Sequence, residues 1–280
     1  MITTQQNFAP PHSTGQAQEQ KPLDQQAQPY LSVIIPAYNE ESRLPATMTK
    51  VLTYLEGQPY KFELIIVDDG SSDETAAVAE EIAQDHPRAR VIRNDHRGKA
   101  YTVRTGMLLG EGKYLLFSDA DLAVPIEESE KILPYLEEGY DVVIASREGQ
   151  GARRIGEPAY RHIMGRGFNF IIQMIALGGF QDTQCGFKAF TREAARDLFN
   201  QVQLYGADAK RLSEAAVTGF DVEILFLAVK RGYRTKEVPV RWTYGTETKV
   251  NPLKDTWRNL KDVIKVRWYD LTGRYNNHRE

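Results

Sequence analysis

Acidic side chains collect at three places in this 280-residue chain, each just after a short apolar run. Leu31-Ser-Val-Ile-Ile-Pro36 leads into Ala37-Tyr38-Asn39-Glu40, Phe62-Glu-Leu-Ile-Ile-Val67 into Asp68-Asp69, and Tyr114-Leu-Leu-Phe117 through Ser118 into Asp119-Ala120-Asp121. In an open α/β sheet, ligands bind beyond the carboxyl ends of the strands. Carboxylates gathered on one such rim repel each other unless a cation or hydrogen-bond donors compensate. Hard divalent cations such as Mg²⁺ or Mn²⁺ take carboxylate oxygens and bridge to phosphates. The pattern therefore points to a metal-bound diphosphate. One such cluster alone reads more readily as a solvated turn, because Asp and Ser are natural after a strand. Three in register do not. No Gly-rich loop of the G-x-G-x-x-G or Walker type follows the first run, which disfavours dinucleotide dehydrogenases and P-loop nucleotidases.

The elements that must carry these residues alternate in type. Leu44, Met48, Val51, Leu52 and Leu55 recur at helical spacing after the first strand. A helix is expected over residues 74–83 after the second, and a weak third strand at Val91-Ile92. Helices over 99–109 and 127–136 then alternate with the strand at Tyr114–Phe117 and another over 141–145. Such alternation implies βαβ units and a mostly parallel sheet flanked by helices, an α/β single domain. The second half is less regular. Residues 160–177, 221–230 and 256–269 read as helices, 182–190 as extended, and 237–242 as an edge strand, because Pro239 removes a ladder donor.

Composition bounds the rest. The chain is 41% apolar and 26% charged, an ordinary globular balance. Its net charge of −3 excludes a generic nucleic-acid binder. Residues 1–29 hold eight Gln and four Pro and almost nothing apolar, and are expected to form a disordered tail. The domain is expected over residues 30–275, with a short tail over 276–280. No run approaches the ~18–20 apolar residues that a spanning helix needs. The N-terminus lacks a basic start followed by an apolar stretch, so no secretory signal is expected. The single Cys185 forms no internal disulfide and fits a reducing compartment. A cytoplasmic protein is expected, touching a membrane from that side. His86, His96 and His162 are too scattered for a zinc site, and Cys185 has no obvious His partner that would make it a nucleophile.

The motifs resemble those of a known family. Val33-Ile-Ile-Pro-Ala-Tyr-Asn-Glu40, Val67-Asp-Asp-Gly-Ser-Ser-Asp73, Arg97-Gly-Lys-Ala100 and Ser118-Asp-Ala-Asp121 are similar to the successive motifs of family-2 inverting glycosyltransferases, whose fold is GT-A. Asp182-Thr-Gln-Cys-Gly-Phe-Lys-Ala-Phe-Thr-Arg192, Phe220-Asp-Val-Glu-Ile-Leu225, Val238-Pro-Val-Arg-Trp242 and Arg267-Trp-Tyr-Asp-Leu-Thr-Gly273 resemble the branch that uses dolichyl or other polyprenyl phosphates. Asp-x-Asp alone is a weak signal; the ordered set is specific.

The resemblance implies roles residue by residue. Pro36, Tyr38 and Glu40 would line the nucleotide pocket, with Val67 and Asp69 at the base and ribose. Ala120 and Asp121 would lie along the ribose and diphosphate, and Asp119 and Asp121 would hold Mg²⁺ or Mn²⁺. Lys99 belongs to the matched Arg-Gly-Lys motif on the donor side. Arg147 and Arg161 match arginines that face an acceptor phosphate, and Lys249 a lysine on the donor phosphates. Two positions depart from the pattern of related mannose synthases: Ala123 stands where a polar residue can assist the metal, and Gly165 where a Ser follows the second arginine. The loop over 201–218 is longer than expected, and the Gln-rich tail stands where the eukaryotic glucosyltransferase has a membrane anchor.

The implied reaction moves a sugar, best read as glucose from UDP-glucose, onto a polyprenyl phosphate with inversion. A phosphate acceptor is already mostly ionised at neutral pH, its second pKa being about 6, and needs arginines rather than a strong base. A hydroxyl acceptor on a polysaccharide or soluble molecule would need a carboxylate base; Asp182 is the best spare candidate, with Gln184 beside it. A phosphatase of the haloacid dehalogenase type, for which Asp119-Ala-Asp121 is a superficial match, would carry that motif after its first strand. A receiver-like domain would be about half this length. For a lipid acceptor, the apolar positions of 168–177 and the aromatics Trp257 and Trp268, set among basic residues, are candidate membrane-contacting faces.

Overall fold

The computed structural model describes residues 28–209, 211, 219–245 and 252–276. Nearly all of the Gln-rich tail, the closing residues, Lys249 and much of the 201–218 loop lie outside the described residues.

Short, largely apolar runs make strands that are mostly buried. They form β1 (Leu31–Ala37), β2 (Phe62–Asp68), β3 (Ala89–Arg93), β4 (Tyr114–Ser118) and β5 (Val142–Ser146). The chain adds β6 (Arg153–Ile155), β7 (Phe187–Thr191), β8 (Thr235–Pro239) and β9 (Arg241–Thr243). One sheet has the order β3-β2-β1-β4-β7-β5-β8, and β6 and β9 pair separately. Six of the seven strands run parallel; β7 alone is antiparallel, to β4 and β5. The extended reading of 182–190 thus resolves into a turn followed by a reversed strand. The single edge strand expected over 237–242 is two: β8 closes the sheet edge, and the chain leaves at Val240 to form β9.

Helices α1 (Leu44–Glu56), α2 (Thr75–Asp85) and α4 (Ser129–Glu137) alternate with these strands, as do α3 (Lys99–Leu109), α5 (Ala159–Ile175), α6 (Arg192–Gln201), α7 (Phe220–Lys230) and α8 (Pro252–Leu271). The period-2 alternation of strand side chains splits the core in two. Val33, Ile35, Leu64, Leu116 and Val143 face Met48 and Leu52 of α1 and Leu133 of α4. Ile34, Ile65, Leu115, Phe117 and Ile144 face Val103 of α3, Leu198 of α6 and Leu225 of α7. Helix α3 lies so close to β1 that a side-chain carbon on Gly106 would fall 2.4 Å from Ile34 Cγ2. Among the described residues no helix is long and apolar enough to cross a membrane.

Parallel strands all point their carboxyl ends at one rim. The chain winds outward from β1 to β2 and β3 and then returns to β4 on the other side, so the switch point lies between β1 and β4. Because β7 is reversed, its start also lies on that rim, with Phe187 opposite Ser118. The rim therefore collects Tyr38–Glu40, Asp69, Asp119–Asp121, Arg147 and the 182–186 turn.

Behind this rim two buried carboxylates tie down the chain around the 201–218 loop. Glu223 Oε1 accepts the Gln203 amide at 2.7 Å, the Leu204 amide at 3.1 Å and the Tyr275 hydroxyl at 2.8 Å. Asp262 accepts the Tyr205 hydroxyl and the Gly219 amide. Burial outweighs these bonds and pushes the Glu223 carboxyl from 4.5 up to about 7. The folded state then holds this proton over a range where the unfolded chain has released it. Stability is lost as pH rises from about 4.5 through 7, by up to about 3 kcal/mol for this group. Glu223→Gln keeps an acceptor oxygen without the charge. Thermal melts at pH 5 and pH 8 should show a smaller loss on going to pH 8 in the variant than in the parent chain; equal losses would remove Glu223 as the source.

Candidate active site

The rim opens into a cleft of about 350 Å³ whose walls include Asp119, Asp121, Arg147, Arg161, Asp182 and Gln184. Six of the expected site residues thus meet in one cavity, drawn from the ends of β4 and β5, the start of α5 and the turn before β7.

Asp119 follows β4, and its carboxylate meets Lys99 Nζ at 2.5 Å. Burial works against the Lys99 ammonium, but Asp119, Asp221 and Asp121 outweigh it and raise its pKa above the ordinary lysine value. Asp121 lies open to solvent at the cleft mouth, and its Oδ1 accepts the Ala123 amide at 3.0 Å. The surrounding protein mass, and then the Asp119 charge, raise its pKa. The next residue, Leu122, has φ +46°, a left-handed conformation that costs a branched residue about 1–3 kcal/mol and marks a strained turn. The Ala120 carbonyl anchors that turn by accepting the Thr47 hydroxyl.

A divalent cation fits this donor set. Two hard carboxylates with unfavourable mutual charge, facing an open cleft, leave coordination positions for diphosphate oxygens and water, as Mg²⁺ sites usually do. Among the described residues no third His, Cys, Asp or Glu joins them. Ala123 supplies no ligand either.

The two arginines expected to face an acceptor phosphate differ from one another. Arg147 follows β5 and forks onto Asp182, with Nε to Oδ2 at 2.7 Å and Nη2 to Oδ1 at 2.8 Å. Asp182 also accepts the Arg147 and Gln184 amides. Burial alone would raise the Asp182 pKa, but the Arg147 charge and bonds hold it at about 2. Such a carboxylate is a poor proton acceptor near neutral pH, which weakens its reading as a spare base. Arg154 is bound at both ends, to Glu148 at 2.6 Å and Glu157 at 2.5 Å. Arg161 lies over the Tyr244 ring at 5.2 Å, its Nε is buried without a hydrogen-bond partner, and it enters no ion pair among the described residues. Trp242 lies beneath Arg147 and Arg154. Trp242 closes the quoted Val238–Trp242 motif, whereas nothing in the sequence analysis marks Arg154 or Tyr244; the proximity of Glu148 and Glu157 to Arg154 is the available signal.

The residues expected on the nucleotide side lie on the neighbouring stretch of rim, not in this cavity's wall. Tyr38 stacks on His96, ring centroids 4.1 Å apart. Glu40 pairs with Arg43, and its amide donates to Thr75. Pro36 and Val67 are buried within their strands, so their side chains face the core. Asp69 is turned inward, its carboxylate accepting the Arg97 and Gly98 amides at 3.0 and 2.9 Å and meeting His96 Nδ1 at 2.8 Å. It shapes the loop that delivers Lys99 at the start of α3. Cys185 is buried, which pushes its thiol up to about 12 and makes it inert.

The family model of glycosyl transferase family 2 matches residues 32–199, which run from the second residue of β1 through β7 and include every rim residue named above. This chain belongs to that family. The family-2 glycosyltransferase is 34% identical over 258 residues to the dolichyl-phosphate beta-glucosyltransferase of Dictyostelium discoideum, covering 87% of this chain and 76% of that one. The human enzyme of the same name is also 34% identical, over 87% of this chain and 76% of its own. The Saccharomyces cerevisiae one is 30% identical over 90% and 78%. Among solved structures, mannosyl-3-phosphoglycerate synthase from Rubrobacter xylanophilus superposes with a TM-score of 0.61 at 19% identity, over 88% of this chain and 76% of that one. Glucosyl-3-phosphoglycerate synthase from Mycobacterium tuberculosis, solved with Mn²⁺, UDP and glucosyl-3-phosphoglycerate, does so with 0.56 at 21%, over 89% and 80%. These likenesses establish the GT-A fold.

Proposed function

We propose that this glycosyltransferase moves glucose from UDP-glucose to a dolichyl or other polyprenyl phosphate, inverting the anomeric carbon, with Mg²⁺ or Mn²⁺ held by Asp119 and Asp121. A phosphate oxygen of the acceptor bonds to the anomeric carbon as the bond to the UDP oxygen breaks on the opposite face. The cation would supply charge neutralisation for the departing diphosphate. Lys99 adds a positive charge on the same side, as would Lys249.

The observation that carries this reading is the Arg161 guanidinium, which enters no ion pair among the described residues, in a cleft that also holds Asp119 and Asp121. An arginine without a counterion in a partly apolar cleft is suited to an anionic ligand, and phosphate matches its fork. Of the carboxylates lining the cleft, Asp119, Glu148, Glu157 and Asp182 are ion-paired, which disfavours a hydroxyl acceptor in need of a free base. The lipid has a surface to meet. Tyr160, Ile163, Phe170 and Met174 of α5 are 59–73% exposed, and Trp257, Trp268 and Leu271 of α8 60–74%. The two helices touch, and Met164, Phe168 and Ile172 of α5 line the cleft. These exposed apolar faces support a peripheral position on the cytoplasmic face of a membrane. The names of the relatives agree with the acceptor class.

The test is transfer from radiolabelled UDP-glucose, GDP-mannose and dTDP-glucose to dolichyl phosphate in liposomes, with Mn²⁺ or EDTA. Label should enter the lipid from UDP-glucose and only with the cation. Label appearing only in a water-soluble product would overturn the lipid acceptor. In the same preparation the chain should float with anionic liposomes; failure to float would remove the peripheral contact.

A further inference from the structure

Lys188 is the least expected side chain in the sheet. It is the second residue of β7, opposite Phe117 and Ile144, and is fully buried. A buried ammonium is costly unless it is paired and hydrogen-bonded. Lys188 Nζ donates to the Cys185 carbonyl at 2.6 Å and to Asp221 Oδ1 at 2.5 Å. Asp221 is in the first turn of α7 and is itself nearly buried.

These contacts close a ring around Asp119. The carbonyl that Lys188 holds belongs to the residue before Gly186. The Gly186 carbonyl accepts the Asp119 amide at 3.1 Å, and a side-chain carbon on Gly186 would fall 2.1 Å from Asp119 Oδ2. The Asp119 carboxylate thus rests on the Gly186 backbone. On its other side Asp119 pairs with Lys99, and the Asp221 charge also acts on Lys99. Asp119, Lys99, Asp221, Lys188 and the 185–186 backbone therefore constrain one another. A buried ion pair adds little net stability compared with apolar residues of the same size. Its place here has another rationale: besides a contact over the Phe117 ring, both of its polar partners, the Cys185 carbonyl and Asp221, lead to Asp119.

We infer that the Lys188–Asp221 pair is a positioning device for the donor side, fixing the 185–186 turn and through it the orientation of Asp119. Neither residue needs to touch the nucleotide. The inference rests on the donor reading given above.

Removing one charge strands the other in the core, so single variants confound folding with function. The decisive variant is Lys188→Met with Asp221→Asn, which removes both charges at similar volume. Thermal melting and calorimetric binding of UDP with Mn²⁺ are measured on the parent chain, the double variant and Asp221→Asn alone. The double variant should melt near the parent yet bind UDP–Mn²⁺ at least tenfold more weakly. The KM for UDP-glucose should rise and that for dolichyl phosphate should stay unchanged. Asp221→Asn, in which Lys188 keeps the Cys185 carbonyl, should show a smaller loss of the same kind. Parent-like UDP–Mn²⁺ binding by the folded double variant overturns the inference. If the double variant does not fold, parent-like binding by Asp221→Asn does so instead. A parent chain that binds no UDP with Mn²⁺ defeats the donor reading, a separate outcome.

Discussion

Asp121→Asn is expected to lower sugar transfer about a thousandfold, equivalent to about 4 kcal/mol of transition-state stabilisation, while leaving the melting temperature essentially unchanged. The two halves of that expectation come from different features. Asp121 lies open to solvent and makes one local bond, to the Ala123 amide, which an Asn oxygen can also accept. Surface changes of that kind usually cost within about 0.5 kcal/mol. The charge is another matter. The protein surroundings and Asp119 both disfavour the Asp121 anion, so the fold keeps it against an electrostatic cost. A cation lifts that cost, and Asn offers it only a neutral oxygen. Binding of UDP should therefore lose its dependence on Mn²⁺ in the variant. Initial rates, calorimetry with and without Mn²⁺, and a thermal melt check the three parts. A variant that transfers at near the parent rate would remove Asp121 from the centre of the chemistry. Asp119→Asn is less clean, because it also breaks the Lys99 pair and disturbs the contact with Gly186.

Much of this site was readable because its residues sit next to strong local signals. The runs before Tyr38, Asp69 and Asp119 are apolar and short, so β1, β2 and β4 follow from composition, and the acidic residues after them must reach one rim if the strands are parallel. What local pattern does not encode is direction. Nothing in Phe187–Phe190 says that β7 runs backwards between β4 and β5, yet that reversal is what brings Asp182 to Arg147 across 35 positions. Pairing then changes the chemistry: Asp182 as an isolated residue reads as a base, whereas on an Arg fork its pKa of about 2 makes it a poor one. Asp69 has the same lesson, since its carboxylate is bound by His96 and the Arg97 and Gly98 amides, partners 27 to 29 positions away that no local pattern shows. Lys188 in an apolar stretch gives no hint of its partner, because Asp221 approaches from a helix 33 positions later. Val240, at the crossing from β8 to β9, was hidden because Pro239 reads as an edge residue but does not say where the edge ends.

Arg161→Ala should abolish most transfer to the lipid phosphate, by about 100- to 1,000-fold, while UDP–Mn²⁺ binding stays within about threefold of the parent. The magnitude is that of losing one fixed charge from a developing or transferring anion in a partly desolvated site. Arg161 is the informative arginine because, unlike Arg147 and Arg154, it has no carboxylate partner among the described residues. Arg147→Ala would leave Asp182 buried without its partner, a change that typically costs about 3–5 kcal/mol and confuses stability with catalysis. Arg161 has no such dependent; its removal takes away a contact over Tyr244 and little else among the described residues. Arg161→Lys should recover only part of the rate, because a single ammonium cannot match a phosphate with two parallel bonds. The readout that separates acceptor binding from donor chemistry is the ratio of transfer to slow hydrolysis of UDP-glucose by water. That ratio should fall sharply in Arg161→Ala. If transfer and hydrolysis drop together, the guanidinium serves the donor, and the acceptor phosphate must be held elsewhere in the cleft.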